Sequence, residues 1–419
     1  MDKKILVICY SFPPNKGIGG RRWAKFAKHL AEAGYAVEVI CKQPEKNEKS
    51  EWTEDTLHPN IQLHHLPAKY PSLLNKVPQS FAQKVAYKLW MLFFKFFSKG
   101  TFPERTFFWK NQLIEKATQL IQQKEIKNVV VTVPPFRLGY YTSFLKIKFP
   151  SLNFILDYRD PWTDNRSFHG FLNLSPARMQ YELSMETTAL QRADVVITTT
   201  EQMTDWLKQK VEQKNKLFLT IPNGFDSADI NVAPAEKNEF KENFRFVYAG
   251  TFYSNLQYIL QPFLDALKKQ EVSEAFCKTF KFEFYGEMDP SMKNLIGQYK
   301  LKTLQLHAPV PLEIMQKTIQ QSNYCMLFAA PDHAFNFNTK FYEYLANRKP
   351  IVIFSKSGTV PKFLQENKLG SAVLYDTFEQ DFNAFINSVK NGTLEFDDKF
   401  NTEQFSTLSH TRLLMQQLK

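Results

Sequence analysis

Asn338-Thr339-Lys340-Phe341-Tyr342-Glu343-Tyr344-Leu345-Ala346-Asn347-Arg348-Lys349-Pro350-Ile351-Val352-Ile353-Phe354 reads as a short helix running into a buried strand. Asn338 or Thr339 can cap the helix start, and Arg348 and Lys349 suit the negative C-terminal end. Pro350 cannot continue a helix, and a β-branched apolar run takes over at Ile351. Phe341 and Leu345, four apart, face the core, while Lys340 and Glu343, three apart, share the other side. One cation and one carboxylate therefore stand near a helix N-terminus, where unpaired backbone N–H groups favour an anion. A phosphate would use those N–H groups and Lys340, and a ribose diol would use Glu343. The same spacing also serves a surface ion pair, so the residues alone leave both readings open.

An alternating α/β pattern leads into this stretch. Phe244 to Ala249 is a strand ended by Gly250-Thr251, ahead of a helix from Leu256 to Lys268, which makes it a second candidate phosphate turn. Further strands are expected at Phe280 to Tyr285, Leu304 to His307 and Tyr324 to Phe328, and a terminal helix over Phe405 to Leu418. The N-terminal half shows a similar alternation. Lys4 to Tyr10 is a continuous apolar run that suits a central parallel strand. A loop with Pro13-Pro14 and Gly19-Gly20 follows, then a helix carrying Arg21 and Arg22 at its start. The glycine pattern is not Gly-x-Gly-x-x-Gly, so a dinucleotide is disfavoured. Asn153 to Tyr158 spills into Arg159-Asp160-Pro161-Trp162, a dense set of charges where α/β sheets place ligands. Internal ion pairing among Asp157, Arg159 and Asp160 would account for the same charges. Pro222-Asn223-Gly224 is turn chemistry, and the polar Asp226–Asn243 stretch reads as a linker between two domains.

The chain has 419 residues, a formal net charge of +11 and 15% aromatic content with 39 Phe. That basic balance points to anionic partners, namely phosphates, nucleic acid or an acidic membrane surface. Cys9, Cys41, Cys277 and Cys325 lie in or beside apolar runs without a Cys-x-x-Cys and read as reduced residues of a cytosolic protein. The eight His are scattered, and no Walker loop, nucleophile elbow or Asp-x-Asp follows a strand, so no metal is required by the pattern. Residues 78–97 combine Phe81, Val85, Leu89, Leu92, Phe93, Phe96 and Phe97 with Lys84, Lys88 and Lys95. Such a basic amphipathic helix suits an anionic bilayer interface, or else packs on its own domain with lysines in water. Lys69, Lys76, Lys99, Arg105 and Lys110 keep the neighbourhood basic.

The opening segment resembles the donor-nucleotide signature of GT-B glycosyltransferases, in particular retaining family 4, through Thr339, Lys340, Glu343, Tyr344, Ala346, Lys349 and Pro350. Pro-Pro followed by Gly19, Gly20 and Arg22 resembles the acceptor-side loop of that family. Phe102 to Asn165 is similar to one branch of it, with Glu104 in place of an Asp, a Pro-Pro turn and Asp-x-Arg-Asp-Pro-Trp. His307-Ala308-Pro309-Val310-Pro311 resembles the tract against which the nucleotide base lies. Two departures stand out: Phe335 replaces a glutamate present in many members, and Phe252 to Leu256 lacks the usual basic residues.

The resemblance implies an α/β GT-B fold of two Rossmann-like domains facing across a cleft. Residues 1–222 would bind the acceptor and 223–400 the nucleotide sugar, with 401–419 a helix returning to the first domain. It further implies a hexosyltransferase working with retention from a UDP- or GDP-sugar, with no metal and no nucleic acid. Gly250, Thr251, Val310, Thr339, Lys340 and Glu343 would bind the donor, and Gly19, Gly20, Arg22, Arg159 and Trp162 the acceptor. Asp160 and Lys340 would act in catalysis. Bacterial cell-surface polysaccharide or glycolipid synthesis is the implied setting, in the cytoplasm at the inner face of the membrane. There 78–110 would touch anionic lipid, and a lipid-linked or saccharide acceptor would be used. Two alternatives share the fold: a nucleotide-sugar 2-epimerase and a non-catalytic partner or scaffold.

Overall fold

The computed structural model describes residues 3–75, 77–97, 104–165, 174–212, 216–230, 243–331 and 335–419. Lys76, Lys99, Phe102 and residues 231–242 of the expected linker lie outside the described residues. The chain divides into two compact units, one of Met1–Pro222 with His410–Lys419 and one of Asn223–Ser409.

The first unit holds a seven-stranded sheet: β1 (Lys4–Ile8), β2 (Ala36–Lys42), β3 (Ile61–Leu66), β4 (Asn128–Val133), β5 (Asn153–Tyr158), β6 (Val195–Thr198) and β7 (Leu217–Thr220). Their order is β3-β2-β1-β4-β5-β6-β7, with every pair parallel. Every residue of β4 and β5 is buried, which is why these strands read as unbroken apolar runs rather than alternating ones. Helix α1 (Arg21–Glu32) lays Trp23, Phe26, Ala27 and Leu30 on the sheet.

The second unit holds six parallel strands: β8 (Phe244–Ala249), β9 (Phe280–Tyr285), β10 (Leu304–His307), β11 (Tyr324–Phe328), β12 (Ile351–Ser355) and β13 (Gly370–Leu374). Their order, β10-β9-β8-β11-β12-β13, repeats the order of the first six strands of the other sheet. Much of the phenylalanine is used here. Phe246 stacks on Phe282 at 4.7 Å between centroids and Phe328 on Phe354 at 4.8 Å, inside one core layer with Phe263 and Phe385. In each sheet the strand order reverses beside the first strand, between β1 and β4 and between β8 and β11. Crevices at the carboxyl ends of strands beside such reversals are where open α/β sheets take ligands.

The last helix, Thr407–Met415, carries the chain into the first unit, where Leu414 is fully buried in the layer containing Trp23 and Ile221. Asn153 Nδ2 donates to Gln417 O at 2.8 Å, and Asn128 Nδ2 to Lys419 O at 2.9 Å. Two asparagines that open β4 and β5 thus hold residues 417 and 419 against this unit. Leu414→Ala should therefore destabilise the first unit by about 2–4 kcal/mol, seen as an earlier denaturant midpoint of that unit's transition; an unmoved midpoint would show that the tail does not contribute to this core.

Candidate functional site

In the second unit, the residues at the carboxyl ends of the central strands converge on one backbone turn. Gly250 follows β8 with φ +137°, and Gly286 follows β9 with φ +133°. Residues with a Cβ rarely adopt such angles, and space gives a second reason for glycine. A Cβ on Gly286 would lie 2.5 Å from Gly250 O. A Cβ on Gly250 would collide with Lys340 Cε and lie 2.5 Å from Lys340 Nζ. The Lys340 side chain is therefore laid directly on the bare Gly250 backbone.

The helix that delivers Lys340 spans Thr339–Ala346, and Asn338 caps it by accepting the Phe341 N–H at 3.0 Å. Phe341, Tyr342, Tyr344 and Leu345 are all buried, so its apolar arc is wider than the Phe341–Leu345 pair alone, while Thr339, Lys340 and Glu343 stay half-buried. Tyr344 fixes the register between helix and strand, because its hydroxyl accepts the Ala249 N–H at 2.9 Å. The end of the helix differs from expectation. It stops at Asn347 with Arg348 left-handed at φ +51°, and the Lys349 N–H returns to Tyr344 O at 3.1 Å. Lys349 Nζ then donates to Gln320 O and Ser322 O, so its charge serves the end of the preceding helix, Leu312–Gln321.

Burial pushes the Lys340 ammonium below the usual lysine range, and the Glu343 carboxylate only partly offsets this. Lys340 Nζ also lies 5.5 Å from the centroid of the Tyr248 ring. Val310 packs on the layer that holds Ala249, and His307 stacks on Tyr285 at 4.3 Å. Gly250, Thr251, Val310, Thr339, Lys340 and Glu343 thus gather at one end of the second sheet. Gly286 and Tyr344 belong to the same construction. The signal for Gly286 was its place after Phe284-Tyr285, which matches Gly250 after Tyr248-Ala249.

In the first unit the charged residues are largely tied to one another. Arg22 donates to Asp157 Oδ1 at 3.1 Å and to the carbonyls of Pro222 and Ile221 at 2.7 and 2.8 Å. Asp157 is fully buried and also accepts Trp23 Nε1 at 2.7 Å and Thr132 Oγ1 at 2.9 Å. Arg159 donates to Gly19 O and to Pro134 O, clamping the loops after β1 and β4. Gly20 lies so close to the chain that a Cβ there would be 2.6 Å from Ser11 O.

Two acceptor assignments need correction. Trp162 is fully buried, stacked on Phe136, and donates Nε1 to Glu182 Oε2 at 3.0 Å, so its ring is a wedge under the loop and not an acceptor platform. Arg22 is engaged by Asp157 and two carbonyls, which makes it a brace between α1 and the end of the unit. Asp160 stays half-buried between Arg159 and Trp162.

Glu182 and Glu186, one turn apart on the helix Pro176–Arg192, hold that loop from beneath. Glu182 accepts from Arg137 at 2.8 Å, from Arg178 at 2.6 Å and from Trp162. Glu186 accepts from Thr163 Oγ1 and, at 2.8 Å, from Lys210, which also reaches Asp164. Among the described residues no group of three or more His, Cys, Asp or Glu is arranged to hold a metal ion.

Two doubly wound parallel sheets of order 3-2-1-4-5-6, joined in one chain whose last helix rejoins the first unit, make this a GT-B fold. Solved structures of that class align over nearly the whole chain. Sucrose-phosphate synthase from Thermosynechococcus elongatus is similar with a TM-score of 0.70 at 16% identity, covering 99% of this chain and 98% of that one. Anabaena Alr3699/HepE, solved with UDP-glucose, gives 0.61 at 13% identity, covering 99% and 98%. A Listeria monocytogenes protein assigned as a UDP-N-acetylglucosamine 2-epimerase gives 0.55 at 11%, covering 99% and 95%. No family model matches the sequence, and no curated protein sequence matches it. At these identities the likeness is one of fold.

Replacing Glu182 by Ala strips the carboxylate from two buried guanidinium groups and from Trp162 at once. Removing one partner of a buried pair costs about 3–5 kcal/mol, so Glu182→Ala should lower the thermal midpoint of the first unit sharply. A change within the range of an exposed pair would mean that solvent reaches Arg137 and Arg178.

Proposed function

We propose that the chain is a glycosyltransferase that moves a hexose-type sugar from a UDP- or GDP-sugar to an acceptor hydroxyl with retention. The observation that carries this reading is the partly desolvated Lys340 ammonium laid over the Gly250 turn, beside the N-terminus of the helix Thr339–Ala346. Exposed N–H groups and a cation already in place are what a departing diphosphate requires, because the donors need no rearrangement as charge develops. Glu343, one turn along, takes the ribose hydroxyls, and Val310 lies against the base. A neighbouring fold solved with UDP-glucose supports a nucleotide sugar as the ligand.

In the transfer step the anomeric C–O bond to the leaving phosphate breaks while the acceptor oxygen bonds to the same face of the sugar. The acceptor proton passes to the departing phosphate oxygen. Lys340 stabilises the growing negative charge without a resident metal, and Asp160, together with Gly19, Gly20 and Arg159, serves the acceptor hydroxyl. A lipid-linked or saccharide acceptor in bacterial cell-surface polysaccharide or glycolipid synthesis, met in the cytoplasm at the inner face of the membrane, suits this chemistry.

Lys340→Ala and Glu343→Ala should each weaken nucleotide-sugar binding by ~1–3 kcal/mol in calorimetry, the worth of a charge-assisted hydrogen bond. Unchanged affinity in both would defeat the donor assignment. A screen of nucleotide sugars for thermal stabilisation identifies the donor to use. Conversion of that sugar nucleotide without any acceptor would indicate an epimerase, and binding without turnover a scaffold.

The depressed lysine also sets a pH dependence. An anionic ligand favours the charged ammonium, so the Lys340 pKa in the complex is higher than in the free protein. Binding then takes up a proton at any pH between the two values. Affinity should be full below the free-protein value and fall as pH rises through it, and Lys340→Arg should flatten the decline.

A further inference from the structure

Helix α2 (Phe81–Phe97) turns two unlike faces to its surroundings. Its inner face is an aromatic cluster of the first unit. Phe94 is fully buried, and Trp90, Phe93 and Phe94 lie against Phe107 and Phe108 at 5.6 to 6.2 Å between centroids. Its outer face carries Phe81, Val85, Leu89, Leu92 and Phe96, which are 83%, 42%, 61%, 48% and 70% exposed. Steps of four, four, three and four residues place these five side chains within an arc of about 80°. A helix normally turns such a stripe to the core, so an apolar row facing water requires a partner.

The charges beside the stripe say which kind. Lys84, Lys88 and Lys95 are exposed along one border of it. The sequence contains no Asp or Glu between Asp55 and Glu104, whereas Lys69, Lys76, Lys84, Lys88, Lys95 and Lys99 fall in that interval. None of the chain's 42 acidic residues falls in this helix or in the 25 residues before it. A second copy of the chain would bring the same lysines against themselves, and like charges oppose that pairing. No described helix is long and apolar enough to cross a membrane. An apolar ridge bordered only by cations instead matches the interface of an anionic bilayer, where acyl chains take the ridge and headgroup phosphates the ammonium groups.

We propose that α2 is a monotopic membrane anchor, lying in the plane of an anionic bilayer with Phe81, Val85, Leu89, Leu92 and Phe96 inserted and Lys84, Lys88 and Lys95 at the headgroups. The inner aromatic cluster is the mount that joins this anchor to the body of the first unit. The anchor does not depend on the transferase reading, since it follows from the helix alone.

The full chain, without nucleotide sugar, is floated with vesicles of phosphatidylcholine alone or with about one third phosphatidylglycerol. Wild type should float with the anionic vesicles only and be released by high salt. The triple variants Leu89→Ser/Leu92→Ser/Phe96→Ser and Lys84→Glu/Lys88→Glu/Lys95→Glu should each lose at least tenfold in partitioning. Their thermal midpoints should stay at the wild-type value, because the altered side chains are exposed. Wild type that fails to float with anionic vesicles overturns the proposal. So does flotation unchanged in both triple variants, or a wild-type dimer in solution that the serine variant alone abolishes. Donor binding measured on the same variants keeps the two readings apart: it should be unchanged.

Discussion

A single contact between a helix and a strand determines what the second unit can do. The Tyr344 hydroxyl takes the N–H of Ala249, the last residue of β8, and so fixes the helix Thr339–Ala346 against the end of that strand. With that register set, Lys340, one turn earlier, lies along the backbone of Gly250. Any residue but glycine there would push the ammonium away or lose the φ of +137°. Gly286 is required for the same reason one layer further out, since its own Cβ would meet Gly250 O. Two glycines, one tyrosine and one lysine form a mutually dependent set, and the fully buried Tyr344 cannot shift without moving the rest.

The first unit meets the same topological problem with the opposite economy of charge. There the loops after β1, β4 and β5 are bound to each other by Arg159, which reaches Gly19 O and Pro134 O, and by Asp157, which collects Arg22, Trp23 and Thr132. Buried charges are tolerable only when they are paired and their remaining hydrogen-bonding capacity is met. Asp157 fulfils that by accepting on both oxygens. Glu182 fulfils it with two arginines and an indole N–H. The gain is a rigid arrangement of loops, in which Asp160 is flanked by two residues whose side chains are both tied down.

The fold was legible because the central strands of both sheets include ones that are buried on two faces and so appear as unbroken apolar runs. Lys4–Ile8 and Asn153–Tyr158 show this in one unit, and Tyr324–Phe328 and Ile351–Ser355 in the other. The places of Gly250 and Lys340 were legible because they sit at a strand end and at a helix start, positions that sequence marks with glycine and a capping asparagine. The roles of Arg22 and Trp162 were not legible in the same way. An arginine at a helix start after a glycine-rich loop looks the same in sequence whether it faces a ligand or a buried aspartate 135 positions away. Trp162 follows Asp160-Pro161 in a charged loop, and its partner Glu182 lies on a helix beyond it in the chain. Long-range pairing of charges leaves no period in the sequence, which is why the partners of Arg22 and Trp162 could not be read there. Glu182 and Glu186 stand four apart in the sequence, but nothing in that spacing names Trp162 and Thr163 as what they hold.

The contrast between the two units bears on where chemistry belongs. A charge that is fully paired contributes to stability and has little left for a ligand. A charge held in place with its pairing incomplete costs stability in the free protein, and the cost is returned when an anion arrives. Asp157 and Glu182 are of the first kind. Lys340 is of the second: burial lowers its pKa and Glu343 offsets that only in part. Interactions that become stronger only as negative charge develops are those that lower a barrier rather than merely tighten binding. In the proposed transfer reaction this difference would put the reacting phosphate at the end of β8 and leave the acceptor to the better-paired first unit.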